Sequence, residues 1–83
     1  MAVVNSYEAN NLPLDTMWAD IDYMDDYKIF TVSQTRYSNL ADYVDQIHAK
    51  GMTFVPIMDV GVAVRPNEGY SAYDTGMTQN VFI

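Results

Sequence analysis

Apolar and polar positions alternate along the chain in blocks that predict a strand, a helix and a second strand, with long loops between. Ala2 to Asn11 comes first, where the i, i+4 spacing of Val3 and Tyr7 predicts a short helix. Asn10-Asn11 suits its end, because Asn tolerates the left-handed backbone there, and Pro13 prevents continuation. Leu14 to Ile21 predicts a first strand. Leu14, Thr16, Trp18 and Asp20 share one face; Asp15, Met17, Ala19 and Ile21 share the other. Apolar bulk on both faces predicts a sheet covered on both sides, as parallel sheets are. Asp22 to Tyr37 is a long connection carrying Tyr23, Tyr27, Phe30 and Tyr37, which predicts a packed loop with a short extended piece over Lys28 to Val32.

Ser38 to Lys50 carries the strongest helical signal. Leu40, Tyr43, Val44 and Ile47 recur at i, i+3, i+4 and i+7 and form one apolar stripe. Ser38 is the expected N-cap and Gly51 the expected stop. Asp42 and Lys50 complement the two ends of the helix dipole. Met52 to Asp59 predicts the second strand, with a local break in its ladder at Pro56, which lacks an N–H. Gly61 to Gly76 is punctuated by Pro66, Gly69, Ser71 and Gly76 and reads as loop, continued by the polar Thr78-Gln79-Asn80. Val81-Phe82-Ile83 reads as the beginning of a third strand. Strand, helix, strand implies a parallel α/β crossover, and such folds bind ligands at the C-terminal ends of their strands. Both predicted strands end there in acids, Asp20-Ile21-Asp22 and Asp59.

Composition narrows the classes of function. The chain is 83 residues, 49% apolar and 13% aromatic, which is the composition of a folded core. It has no cysteine and one histidine, so it lacks the staples that free-standing domains of this size often use. That absence, with the apolar run at Val81-Phe82-Ile83, points to a segment of a larger fold. Four basic residues against eleven acidic give a net charge of −7, which argues against a nucleic-acid partner or a polybasic membrane anchor. No apolar run approaches the roughly 20 residues of a membrane span.

Asp20 and Asp22 are the leading chemical candidates. At a strand mouth they could accept hydrogen bonds from sugar hydroxyls or act as acid, base or nucleophile. The same Asp-x-Asp spacing could hold a divalent cation and a nucleotide sugar, as in glycosyltransferases, because hard cations take oxygen ligands. Tight manganese binding would single out that class. A non-catalytic carbohydrate-binding or interaction module is a third class, marked by sugar binding without turnover. An EF-hand is excluded, since Met24, Asp25 and Thr31 occupy positions that need an acid, a glycine and a glutamate. Trp18, between apolar neighbours, reads as core packing rather than a sugar-stacking surface. His48 reads as a helix-end cation or a packed residue, and no nucleophile–histidine arrangement can be assembled from it. Met17, Met24, Met52, Met58 and Met77 read as core filler.

The run Pro13-Leu14-Asp15-Thr16-Met17-Trp18-Ala19-Asp20-Ile21-Asp22-Tyr23-Met24-Asp25 resembles the P-L-D-x-x-W-x-D-I-D-Y-M-D segment of glycoside hydrolase family 31, the α-glucosidase family. Phe30-Thr31 resembles its F-T, Ile47-His48 to Gly51 its L-H-x-x-G, and Val55-Pro56-Ile57-Met58-Asp59 its V-P-I-V-D. Tyr70-x-x-Tyr73-Asp74-x-Gly76 and Val81-Phe82-Ile83 resemble the stretch that follows. The resemblance covers essentially the whole chain. It implies an α/β fold that is part of a (β/α)8 TIM barrel: residues 1–83 as a catalytic-barrel segment, Leu14 to Asp20 its second strand and Val55 to Asp59 its third. It further implies that Asp20 binds the hydroxyls of the cleaved sugar and that Ile21 and Ile57 line the same pocket. Asp59 would be a buried acid beneath the pocket, with Trp18 behind it. The family's nucleophile and acid/base lie on later strands, beyond Ile83, so no catalytic carboxylate is expected here and no metal or cofactor is implied. The implied partners are an α-glucoside oligosaccharide and the rest of the barrel. Tyr27-Lys28-Ile29 departs from the family's Arg-x-Asp before Phe-Thr, and Val60 replaces a common proline.

Overall fold

A computed structural model describes residues 1–83. Helix α1 spans Ala2–Ala9 and buries Val4, at 3% exposure, while Val3 and Tyr7 stay exposed. The buried residue is thus the neighbour of the predicted pair. Asn10 donates its side-chain amide to the Ser6 carbonyl, and Asn11 adopts the expected left-handed backbone at φ 55°. Helix α2 spans Leu40–Ala49, starts two residues later than Ser38 and has Asn39 as its first flank, with no side-chain cap. Its stripe is as predicted: Ile47 is fully buried and Leu40, Tyr43 and Val44 are half-buried. Gly51, at φ 75°, ends it through a double bond pattern, Gly51 N–H to His48 and Met52 N–H to Ile47. Lys50 joins α2 to α1, donating to both Glu8 carboxylate oxygens at 2.9 and 3.0 Å.

Strands β1 (Thr16–Ala19) and β2 (Thr53–Pro56) pair in parallel, with Thr16 opposite Thr53 and Ala19 opposite Pro56. The ladder extends past both ends, through Thr53 N–H to Asp15 and Ile57 N–H to Ala19. In a parallel ladder alternate amides point to opposite neighbours. Because Thr53 and Ile57 point to β1, Pro56 has its missing donor on the far edge. The expected break therefore does not occur between these strands.

One face of the sheet, carrying Met17, Ala19, Phe54 and Pro56, is half-buried. Tyr43 of α2 meets Phe54 edge-on there, with ring centroids 5.9 Å apart. The opposite face, carrying Thr16, Trp18, Thr53 and Val55, is exposed. This corrects the reading of Trp18 as core: it is 59% exposed, because α2 covers the other face and no element of residues 1–83 covers this one.

The connection after β1 is a packed loop. Two short 3₁₀ turns, Ile21–Tyr23 and Asp25–Tyr27, place Tyr23, Met24 and Ile29 in a buried cluster bordered by Ala19, Val32, Tyr37, Ile57 and Val62. The extended piece expected over Lys28 to Val32 is absent; Phe30 takes a left-handed backbone at φ 64° within a turn. Tyr27 and Phe30 are exposed rather than packed, as are Met58 and Met77.

The largest correction lies between Tyr70 and Ile83. Ser71–Gln79 is a helix, α3, not loop. Gly76 within it faces the Phe82 ring, where a Cβ would collide. Asn80 then turns left-handed, Val81 N–H bonds Gly76, and Phe82 folds back to stack on Tyr73 at 6.1 Å. Glycine at 76 makes room for a ring instead of breaking a helix, and residues 81–83 form no strand.

Candidate functional site at the strand ends

Asp20 lies one residue beyond β1, where the chain leaves the ladder. Its carboxylate accepts from the Ile21 N–H at 2.7 Å and so caps the Ile21–Tyr23 turn. A carboxylate has about four lone-pair sites, so most of its acceptor capacity faces solvent. Asp22, two residues on, accepts from the Tyr37 hydroxyl at 3.0 Å. The two carboxylates thus make separate bonds, and no third metal-ligating side chain joins them. Burial pushes the Tyr37 phenol above its usual pKa, and accepting Asp22 adds to the rise against the lowering effect of Arg36.

Ile21 is exposed at the turn, whereas Ile57 is half-buried just beyond β2. Ile57 donates its N–H to Ala19 at 2.8 Å and accepts from the Tyr23 hydroxyl, also at 2.8 Å. The Tyr23 oxygen also lies 3.6 Å from the Met58 Sδ. Burial, and then the nearby Asp59 charge, push the Tyr23 phenol upward. Asp59 is therefore close to the site, but it is exposed in these 83 residues, contrary to the buried acid expected. It follows β2 in a segment whose apolar neighbours, Met58 and Val60, are themselves uncovered.

Two basic residues of the loops bond to other acids, while the third, Arg36, forms no ion pair. Lys28 pairs with Asp25 and sits over the Tyr70 ring, while Arg65 bridges Asp26 and Glu68. Asp20, Asp22 and Asp59 have no cationic partner. Three carboxylates without a cationic partner thus stand at the C-terminal ends of two parallel strands, with acceptor positions open to a hydrogen-bond donor.

A mainly apolar cleft of about 560 Å³ lies between the start of α1, β1 and α2 and takes in Trp18, Asp20, Asp22, Arg36, Tyr37 and Phe54. It holds two of the predicted acids but not Ile21, Ile57 or Asp59. Tyr23 and Tyr37, which hold Ile57 and Asp22, escaped the reading of the sequence. The available signal was their phenol groups in a loop that begins at two acids.

Folds built on parallel strands bind ligands at the C-terminal strand ends, which is where these unpaired acids stand. Residues 1–83 match throughout the TIM-barrel domain of the glycosyl hydrolases family 31, and the chain belongs to that family. It is 40% identical to a protein named probable alpha-glucosidase from Oryza sativa subsp. japonica, over 98% of this chain and 9% of that protein. It is 37% identical to an alpha-glucosidase of Hordeum vulgare, over 98% of this chain and 10% of the relative. Alpha-xylosidase 1 of Arabidopsis thaliana is also 37% identical, over 98% of this chain and 9% of its own length. The chain thus spans about a tenth of these relatives.

Proposed function

We propose that residues 1–83 are a segment of the catalytic barrel of a retaining α-glucosidase-type hydrolase, acting on α-glucoside oligosaccharides. β1 and β2 would be its second and third barrel strands, with α2 the helix between them. Asp20 would bind hydroxyls of the sugar being cleaved, and Ile21 and Ile57 would border the same pocket. Asp59 and Trp18 would lie behind it, where neighbouring strands cover them.

The observation that carries this reading is the family match over all 83 residues, with Asp20 unpaired at the end of a parallel strand. Retaining hydrolysis needs two carboxylates about 5 Å apart across the scissile bond, one a nucleophile and one an acid/base. Asp20 and Asp22 sit two residues apart at one turn and are engaged separately by Ile21 and Tyr37. They fit recognition better than that pair of roles. On this reading the residues supply binding groups, and the nucleophile and acid/base come from other strands.

A charged hydrogen bond contributes about 1.5–3 kcal/mol, so its loss costs on the order of 10- to 100-fold in kcat/KM. Asp20→Asn in the whole hydrolase is expected to lower turnover of maltose by that factor, and the 83-residue polypeptide alone to release no glucose. Glucose release by the isolated polypeptide, lost on Asp20→Ala, would overturn the division of roles.

A further inference from the structure

We propose that Tyr23 is a positioning residue, which clamps Ile57 against the segment carrying Asp20 and Ile21; the inference rests on the function proposed above. Both backbone polar groups of Ile57 are bound by the same short stretch of chain. Its N–H goes to the Ala19 carbonyl and its carbonyl accepts from the Tyr23 hydroxyl, each at 2.8 Å. Residues 19 and 23 bracket Asp20-Ile21-Asp22. The bracketed residues therefore cannot shift along the sheet relative to Ile57 without breaking one of the two bonds.

The ladder alone would not achieve this. β1 ends at Ala19 and the chain leaves the sheet at Asp20, so beyond that point no strand pairing holds the two mouths together. Tyr23 replaces it. The ring is only 6% exposed and belongs to a cluster with Met24 and Ile29, which fixes its direction. The Asp20 carboxylate caps the turn that ends at Tyr23, so the acid and the phenol stabilise one another's backbone. Residue side chains that touch a ligand are useful only when held to within a fraction of an ångström.

Tyr70 supplies a matched control. It too is a buried tyrosine, 4% exposed, whose hydroxyl donates to a backbone carbonyl, that of Ile29 at 2.7 Å. Ile29 is not one of the candidate ligand-binding residues. A general loss of stability predicts the same consequences from Tyr23→Phe and Tyr70→Phe; a positioning role does not.

The experiment compares Tyr23→Phe, Tyr70→Phe and Asp20→Asn in the whole hydrolase, with maltose as substrate and thermal melts alongside. Tyr23→Phe is expected to lower kcat/KM roughly 10-fold, largely through a raised KM, because misplaced binding groups weaken the ground-state complex. Tyr70→Phe is expected to stay within about twofold at a similar loss of melting temperature. Loss of folded enzyme would lower kcat at constant KM, so equal effects of the two tyrosine variants, or a Tyr23→Phe change confined to kcat, would overturn the proposal. Full activity in Tyr23→Phe beside a crippled Asp20→Asn would sink the clamp and leave the functional reading standing. Full activity in Asp20→Asn would sink that reading, and the clamp with it.

Discussion

The 83-residue polypeptide, taken by itself and titrated with urea, is expected to lose its structure gradually. The accessible surface is 6041 Å². A compact protein of 9.4 kDa exposes roughly 5,000 Å², so about 1,000 Å² is left uncovered. The radius of gyration, 16.2 Å, leads to the same conclusion against the roughly 12 Å of a compact chain of this length. Slightly over half of an ordinary surface is apolar, and burial is worth about 25 cal/mol per Å². The missing burial is then on the order of 15 kcal/mol, as large as the whole net stability of about 5–15 kcal/mol typical of a domain. Trp18, Val55, Phe30, Val60 and Val64 are among the residues that expose it. Far-UV and near-UV circular dichroism should therefore fall at different urea concentrations, and an apolar dye such as ANS should bind before any urea is added. One sharp transition shared by both probes, with a slope of about 1 kcal/mol per molar urea, would refute the reasoning.

Alkaline titration and one glycine substitution test the interior. Tyr23, Tyr37 and Tyr43 are all held above the usual tyrosine pKa of 10.0, chiefly by burial. The folded state thus keeps protons that the unfolded state gives up: this contribution to stability is complete below pH 10.0 and is lost as pH rises through the raised values. In the whole hydrolase, Tyr23→Phe and Tyr37→Phe should each remove one late-ionising phenol from the absorbance change at 295 nm; loss of an ordinary phenol titrating near pH 10.0 would contradict the burial argument. Gly76→Ala should push the Phe82 ring off Tyr73 and cost about 1–3 kcal/mol, the range for overpacking. A melting temperature equal to wild type would show that the ring moves aside freely.

Features encoded over a few consecutive residues were legible. The stripe Leu40-Tyr43-Val44-Ile47 names α2 and its buried face, since a helix brings those spacings together whatever surrounds it. Gly51 as the stop and Asn11 as a left-handed end follow from local backbone preference. The family was legible too, because the run from Pro13 to Asp25 is a long, specific match, and the comparison across residues 1–83 agrees. Gly76 misled for an instructive reason. A glycine often breaks a helix, but it also serves where another side chain must approach closely, and only Phe82 distinguishes the two cases.

Taken alone, then, the sequence determined the parallel α/β plan, the helix between the strands, the acids at the strand ends and the family. Tertiary structure decided which surfaces are covered. Val4 rather than Val3 turns inward, and Trp18 stands exposed because one face of the sheet has no helix over it. Tertiary structure also decided the fastening of the site. Tyr23 meets Ile57 across 34 positions of sequence, and Tyr37 meets Asp22 across 15. Periodicity reports how neighbours in the chain share a face; it carries no information about which distant carbonyl a phenol will find, because that depends on how the intervening segments pack.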